Sequence, residues 1–239
     1  MPMQSSITPY RKRSASRSIK RKYARRRLFA PNEVSAIRLP PSRVAGFPDK
    51  LRTKLRYNEY VSLNPGATTV ASASYRLNGL LDPTVAVGGH QPLGFDNYMA
   101  VYGRFQVLKC KIKFTLINAS DNHIVIGYVI ADATQTVPTV PNTLMELGKN
   151  CVYRICHGSG ASLQYVHYVQ GTYDIAKELG LALADDTLRG NVSNDPGSQL
   201  YGTVFIGTVD GGDLTAQGTY VELEYDVVFD QPQVNQTAN

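Results

Sequence analysis

Between Tyr10 and Arg27 the sequence reads YRKRSASRSIKRKYARRR, where ten residues are Lys or Arg and none is Asp or Glu. The ten are Arg11, Lys12, Arg13, Arg17, Lys20, Arg21, Lys22, Arg25, Arg26 and Arg27. Cations at this density suit the neutralisation of a polyanion, because each phosphate contact releases condensed counterions. Self-repulsion and a shortage of apolar side chains leave nothing to offset the entropy of ordering, so a disordered, nucleic-acid-binding arm is expected. Tyr10, Tyr23 and Phe29 offer aromatic faces for stacking on unpaired bases. The triplets Arg11 to Arg13, Lys20 to Lys22 and Arg25 to Arg27 also read as a nuclear localisation signal, which adds import receptors as partners. An organelle transit peptide fits less well, since those are amphipathic and Ile19 is almost the only aliphatic residue among the cations.

Elsewhere the search for reactive constellations finds little. CVYRICH places Cys151, Cys156 and His157 near one another, but the spacing does not match a zinc site and no second cluster pairs with it. Buried cysteines and a surface histidine are the simpler reading, with His123 and His167 as packing or rim residues of strands. Asp185 with Asp186, and Asp210 with Asp213, could give oxygen ligands to a hard cation at a subunit interface, though solvated loop acids are the plainer expectation. No glycine-rich phosphate loop leads from a strand into a helix, and no nucleophile stands beside a base in a recognisable motif. Neither an enzyme nor a metal or other cofactor is expected.

The formal net charge of +6 conceals a strong division along the 239 residues. From Tyr57 onward there are nine Lys or Arg against seventeen Asp or Glu. The chain is a basic arm on an acidic body, an asymmetry that points to a polyanionic partner. About 190 residues remain beyond the arm, enough for one sizeable core. No apolar run approaches the roughly 20 residues that span a bilayer, so no membrane insertion is expected, and the protein is read as soluble and intracellular at synthesis. Three cysteines without a disulfide pattern agree with a reducing compartment.

The elements that must carry these groups read as strands. After Pro40, Pro41 and Pro48 close the arm, eight β segments are expected at about 52–63, 69–79, 104–118, 123–132, 150–157, 161–169, 200–209 and 218–230. In VLKCKIKF, Lys109, Lys111 and Lys113 take one face while Leu108, Cys110, Ile112 and Phe114 take the other, as in an antiparallel sheet with one face on a core. Short helices are expected where Asp96 caps NYMAVY, where Thr143 and Glu146 have capping-box spacing, and where Asp174 starts a turn ending at Gly180. Eight strands with inserts in those loops predict an all-β, eight-stranded double-sheet jelly roll. An immunoglobulin-like sandwich is second, and lacks the usual buried Trp because the chain has none. The domain reading is 1–50 arm, 51–232 shell domain and 233–239 tail.

One stretch is distinctive. GGHQPLGFDNYMAVYGRF, preceded by LNGLLDP and followed by an amphipathic strand, resembles the capsid proteins of circular Rep-encoding single-stranded DNA viruses, the circovirus-like agents. The Arg-rich N-terminus and the closing TYVELEYDVVF agree with that resemblance, which covers essentially the whole chain. Shell proteins of small RNA viruses of the tombus-like group share the fold and similar loops, and a cellular nucleic-acid-binding β-sandwich is the other alternative. The resemblance implies a structural virion protein that assembles with itself into an icosahedral shell, most simply of sixty copies (T=1). It also implies arms turned inward onto single-stranded DNA and assembly in the host nucleus. It brings no catalytic residues; His90 and Gln91 match its motif, with a loop-ordering or subunit-contact role expected.

A jelly roll of this type also implies that the first, last and third strands are neighbours in that order, in the sheet that faces the interior. Arg52, Lys54 and Arg56, preceded by Lys50, would share one face of the first strand, Glu222, Glu224 and Asp226 one face of the last, and Lys109, Lys111 and Lys113 one face of the third. An acidic row is therefore expected between two basic rows, holding the sheet register and partly neutralising the lysines.

Overall fold

The computed structural model describes residues 47–118, 120–132, 138–158 and 165–233. The ten arm cations, residues 161–164 of the expected sixth strand and 234–239 of the expected tail lie outside the described residues.

Among the described residues nine strands and three short α-helices follow one another: β1 (Lys50–Leu63), β2 (Val70–Arg76), α1 (Phe95–Met99), β3 (Tyr102–Asn118), β4 (Ile124–Ala131), α2 (Pro141–Met145), β5 (Cys151–Cys156), β6 (Tyr165–Asp174), α3 (Ile175–Glu178), β7 (Arg189–Gly190), β8 (Tyr201–Thr208) and β9 (Gln217–Pro232). One sheet runs β1-β9-β3-β6, with β7 pairing on β3, and the other runs β2-β8-β4-β5. All the strand pairs in both sheets are antiparallel. Apart from the two-residue β7, this is the eight-strand order of a double-sheet jelly roll, and the immunoglobulin-like alternative is excluded by it.

The core lies between the sheets. On β9, Val221, Leu223, Tyr225, Val227 and Phe229 are fully buried while the residues between them face outward. The β4 sequence IVIGYVIA does not alternate, because both of its faces are covered: Ile124, Ile126 and Tyr128 join the inter-sheet core, and Val125 and Val129 pack with Leu144 of α2. Gly127 lies where a Cβ would stand 2.5 Å from the Phe205 ring and 2.6 Å from the Val152 carbonyl oxygen, so the close approach of β8 and β5 requires glycine.

Several expectations are corrected. Leu108 does not share the buried face with Cys110, because the β3 register against β9 shifts between Val107 and Lys109. This bulge lets Phe105 and Val107 before it, and Cys110 and Ile112 after it, all reach the core. β6 runs on to Asp174 instead of ending near 169. Gly171 does not break it, since the missing side chain leaves room for the Tyr128 hydroxyl, which accepts from Tyr173 at 3.0 Å. Asp96 is not the cap of α1; Gly94 is, at φ 89°, and Asp96 lies in the first turn. Thr143 falls inside α2, whose start is set by Pro141 after Val140. Asp174 does cap α3, accepting from the Lys177 N–H, and Gly180 follows at φ 67°. Among the described residues no helix is long and apolar enough to cross a membrane.

β2 stops at Arg76 instead of 79 because the chain turns into LNGLLDP. There the fully buried Asn78 donates to the Ser198 carbonyl at 2.8 Å and accepts from the Leu200 N–H at 2.9 Å. Asn78→Ala leaves both backbone groups without that partner and is expected to cost about 1–3 kcal/mol. A lowered urea midpoint at unchanged m-value checks it.

Candidate functional site

The outward face of the β1-β9-β3-β6 sheet gathers the charged rows. β9 pairs with β1 so that Lys54 lies opposite Asp226 and Arg56 opposite Glu224. On its other side β9 sets Asp226, Glu224 and Glu222 opposite Lys109, Lys111 and Lys113 of β3. Side-chain contacts cross this ladder partly on the diagonal. Arg52 donates Nε to Asp226 at 2.8 Å and adds a second guanidinium contact, a bidentate pair. Glu224 accepts from Lys54 at 2.5 Å and from Arg56 Nε at 3.1 Å. Lys113 reaches Glu222 at 2.9 Å. Among the described residues Lys109 and Lys111 form no ion pair.

The hydrogen bond from Arg52 holds the Asp226 carboxyl below its ordinary range, and that from Lys54 does the same for Glu224. All these groups are partly or largely solvated, so each pair is worth little individually and is weakened by salt. The acid of β9 is shared unequally: two carboxylates serve β1 and one serves β3.

The same face continues past the charges into a row of aromatics that the charge pattern alone did not single out. Tyr60 of β1 lies opposite Tyr220 of β9, Tyr220 opposite Thr115 of β3, and Thr115 opposite Tyr168 of β6. The Tyr60 and Tyr220 rings meet edge-on at 5.3 Å, and Lys113 Nζ stands 5.8 Å from the centre of the Tyr168 ring. Extending the two-residue period from Arg56 to Tyr60 and from Glu222 to Tyr220 would have found two of them.

The other candidate residues are placed as follows. Cys151 and Cys156 are five apart on β5, so they point to opposite faces, one into the small cluster with Val125 and the other into the main core. Burial pushes both thiols up to about 11 and Cys110 higher still, which leaves no thiolate nucleophile at neutral pH among them. His123 and His157 meet edge-on at 5.4 Å. Burial, with Arg154 and His157 nearby, lowers the His167 pKa. Among the described residues no group of three or more His, Cys, Asp or Glu could hold a metal. Asp185 accepts from the Thr187 N–H at 2.9 Å, and Asp186, 78% exposed, pairs with Arg189 at 3.2 Å. Asp210 accepts only from the Gly212 N–H, at 3.4 Å, and Asp213 is exposed. His90 stacks on Tyr57 at 4.5 Å. Gln91, with its amide nitrogen toward Asp96, donates at 2.7 Å to the first turn of α1. These contacts join the glycine-rich stretch to β1 and to α1.

The chain matches no protein-family model and no curated protein. Among solved structures it is similar to one titled as a 60-mer BFDV capsid protein, at 11% identity and TM-score 0.46 over 80% of this chain and 98% of that one. It is also similar to Cocksfoot mottle virus, at 13% identity and TM-score 0.46 over 77% of this chain and 97% of that one. Desmodium yellow mottle tymovirus is a third, at 14% identity and TM-score 0.41 over 84% and 97%. At such identities and scores the jelly roll stands on the strand order of this chain, and these likenesses decide nothing about its function.

Two outcomes follow from the charged ladder. The triple change Glu222→Lys, Glu224→Lys, Asp226→Lys turns every cross-strand attraction into repulsion, and is expected to lower the melting temperature by more than about 5 °C. The same reversal at the exposed Asp121, Asp210 and Asp213 should shift it far less, and added salt should narrow the difference; thermal melts at low and high salt check this. Because the Glu224 and Asp226 pKa values are depressed in the folded chain, the stability they add is present above the ordinary carboxylate range and is lost as pH falls through the lowered values. Melting temperatures should therefore fall on acidification below about pH 4, and by less in the Glu224→Gln, Asp226→Asn double variant.

Proposed function

We propose that this chain is the structural protein of a small icosahedral virion. Its copies, most simply sixty, assemble into a closed shell, and residues 1–50 form an arm that gathers single-stranded nucleic acid into the interior. The shell domain is 51–232, with a short tail beyond it. The observation that supports this reading best is the segregation of charge: ten cations without an acid in residues 1–27, attached to a jelly roll whose chain from Tyr57 is acidic. A net acidic body repels phosphate at long range, so the attraction must come from the arm. Packaging by counterion release is sequence-tolerant, as a genome container requires. The resemblance in GGHQPLGFDNYMAVYGRF favours DNA and nuclear assembly, for which the three basic triplets would serve import.

Sedimentation of the purified full chain tests assembly. Sixty copies of 26.2 kDa give a particle of about 1.6 MDa before nucleic acid is counted, whereas a cellular binding module would run as a monomer or small oligomer. Removing residues 1–27 is expected to leave particles with a markedly lower 260/280 nm absorbance ratio. Truncated shells that retain the full amount of nucleic acid would overturn the role of the arm.

A further inference from the structure

The outward face of the β1-β9-β3-β6 sheet has its cations unevenly used. Arg52, Lys54 and Arg56 are taken by Asp226 and Glu224, and Lys113 by Glu222. Lys111 lies opposite Glu224 in register, yet both oxygens of that carboxylate are engaged from the β1 side. Lys109 has Asp174 as its β6 neighbour, whereas Lys111 has the neutral Thr172. Of the two lysines without an ion pair among the described residues, Lys111 is the one with no acid opposite it on β6.

It lines an open groove of about 630 Å³ with Lys113, Tyr168 and Gln170, and with Glu222 and Glu224, whose carboxylates are engaged by Lys113 and by Lys54 and Arg56. That volume is within the range of about 300–1,000 Å³ usual for small-molecule sites. Tyr168 is 47% exposed, with Lys113 beside its ring, and Tyr60 and Tyr220 on the same face are 59% and 44% exposed. Tyr60 and Tyr220, whose rings meet edge-on, and Tyr168, beside Lys113, leave about half of their surface in water.

We infer that this groove is a second nucleic-acid site, one that takes an unpaired base on Tyr168 and its phosphate on Lys111. The proposal rests on the packaging reading and adds to it a base-stacking element outside the arm. Six cations against the three carboxylates of β9 and Asp174 of β6 leave this face net positive, which favours an anion. Exposed aromatic faces favour one whose bases are unstacked, so single strands are bound in preference to duplex. Gln170 supplies an amide donor and acceptor at the groove edge for the base or sugar. The ion pairs on the β1 side confine the site to the β3-β6 half.

The test is photo-cross-linking of the full chain to a single-stranded oligonucleotide carrying 5-iodo-2′-deoxyuridine, followed by mapping of the modified peptide. It is combined with affinity measurements at about 0.5 M salt, where the arm's electrostatic contribution is strongly reduced. A cross-link at Tyr168 is expected. Tyr168→Ala should weaken single-strand binding at least about fivefold at that salt, in line with the loss of one stacked base. Tyr168→Phe should keep the affinity, and duplex binding should be the same in all three proteins. Cross-links confined to residues 1–46, or equal affinities of Tyr168→Ala and the parent chain, would overturn the site while leaving the packaging arm intact. If the full chain binds no oligonucleotide at any salt, the packaging reading falls together with it. If Tyr168→Ala instead abolishes self-association in the absence of nucleic acid, the face is a contact between copies and the proposal is wrong.

Discussion

The pairing of β9 between β1 and β3 is the constraint on which the rest of the molecule depends. β9 is in register with β1 from Gln217 to Asp230 and with β3 along most of the same length. Its two faces do different work. Burial of a large apolar side chain is worth roughly 1.5–3 kcal/mol, so Val221, Leu223, Tyr225, Val227 and Phe229 dominate the stability of the sheet. Cross-strand ion pairs contribute only about 0.2–1 kcal/mol each, so the acidic row is not what makes the domain fold. It sharpens the choice of register instead. A slip of one residue would carry Glu222, Glu224 and Asp226 into the core and bring Leu223 and Tyr225 to solvent, and both changes oppose it.

The loop that leads out of β2 is tied to this sheet through buried polar groups. The Tyr225 hydroxyl donates to the Arg76 carbonyl at 2.9 Å. The Arg76 guanidinium donates to the carbonyls of Asp82 and Thr84 at 2.6 and 2.8 Å. Asp195 accepts from the Leu81 N–H at 3.0 Å, and burial raises its pKa although neighbouring amides and Arg76 act against that. An acid that reads as a loop residue is thus a structural clamp. The glycine-rich stretch that follows is held by His90 on Tyr57, while the Tyr57 hydroxyl donates to Glu59 at 2.9 Å. Long connections between strands therefore carry satisfied polar groups inward, which allows them to be ordered without secondary structure of their own.

Much of this was legible beforehand. The eight longer strands, expected between 52 and 230, follow from β-rich runs between turn residues, several of them with apolar alternation, while β7 was not expected. Two of the misread elements trace to contact with residues remote in sequence, and a third to a proline close by. Gly171 looks like a break until Tyr128 fills the space above it. Leu108 belongs to the buried set until a bulge against β9 removes it. Thr143 has the spacing of a capping box, but Pro141 sets the helix start two residues earlier. For the charged face, the types and the face of each residue were readable from single strands. Which carboxylate serves which cation was not, since that depends on diagonal reach across a twisted sheet.

The sequence by itself determined that the chain has a cationic segment, an acidic remainder and a set of amphipathic strands, because charge and two-residue periodicity are local properties. It also determined which side chains could lie together on the outward face of each strand. Only the tertiary structure decided that Asp226 and Glu224 turn to β1, that Glu222 turns to β3, and that Lys111 lines a groove with Tyr168. The reason is that a strand's neighbours come from distant segments, here as far apart as Lys50 and Asp230. Their offset is set by the packing of the buried face, and no property of a single strand contains it.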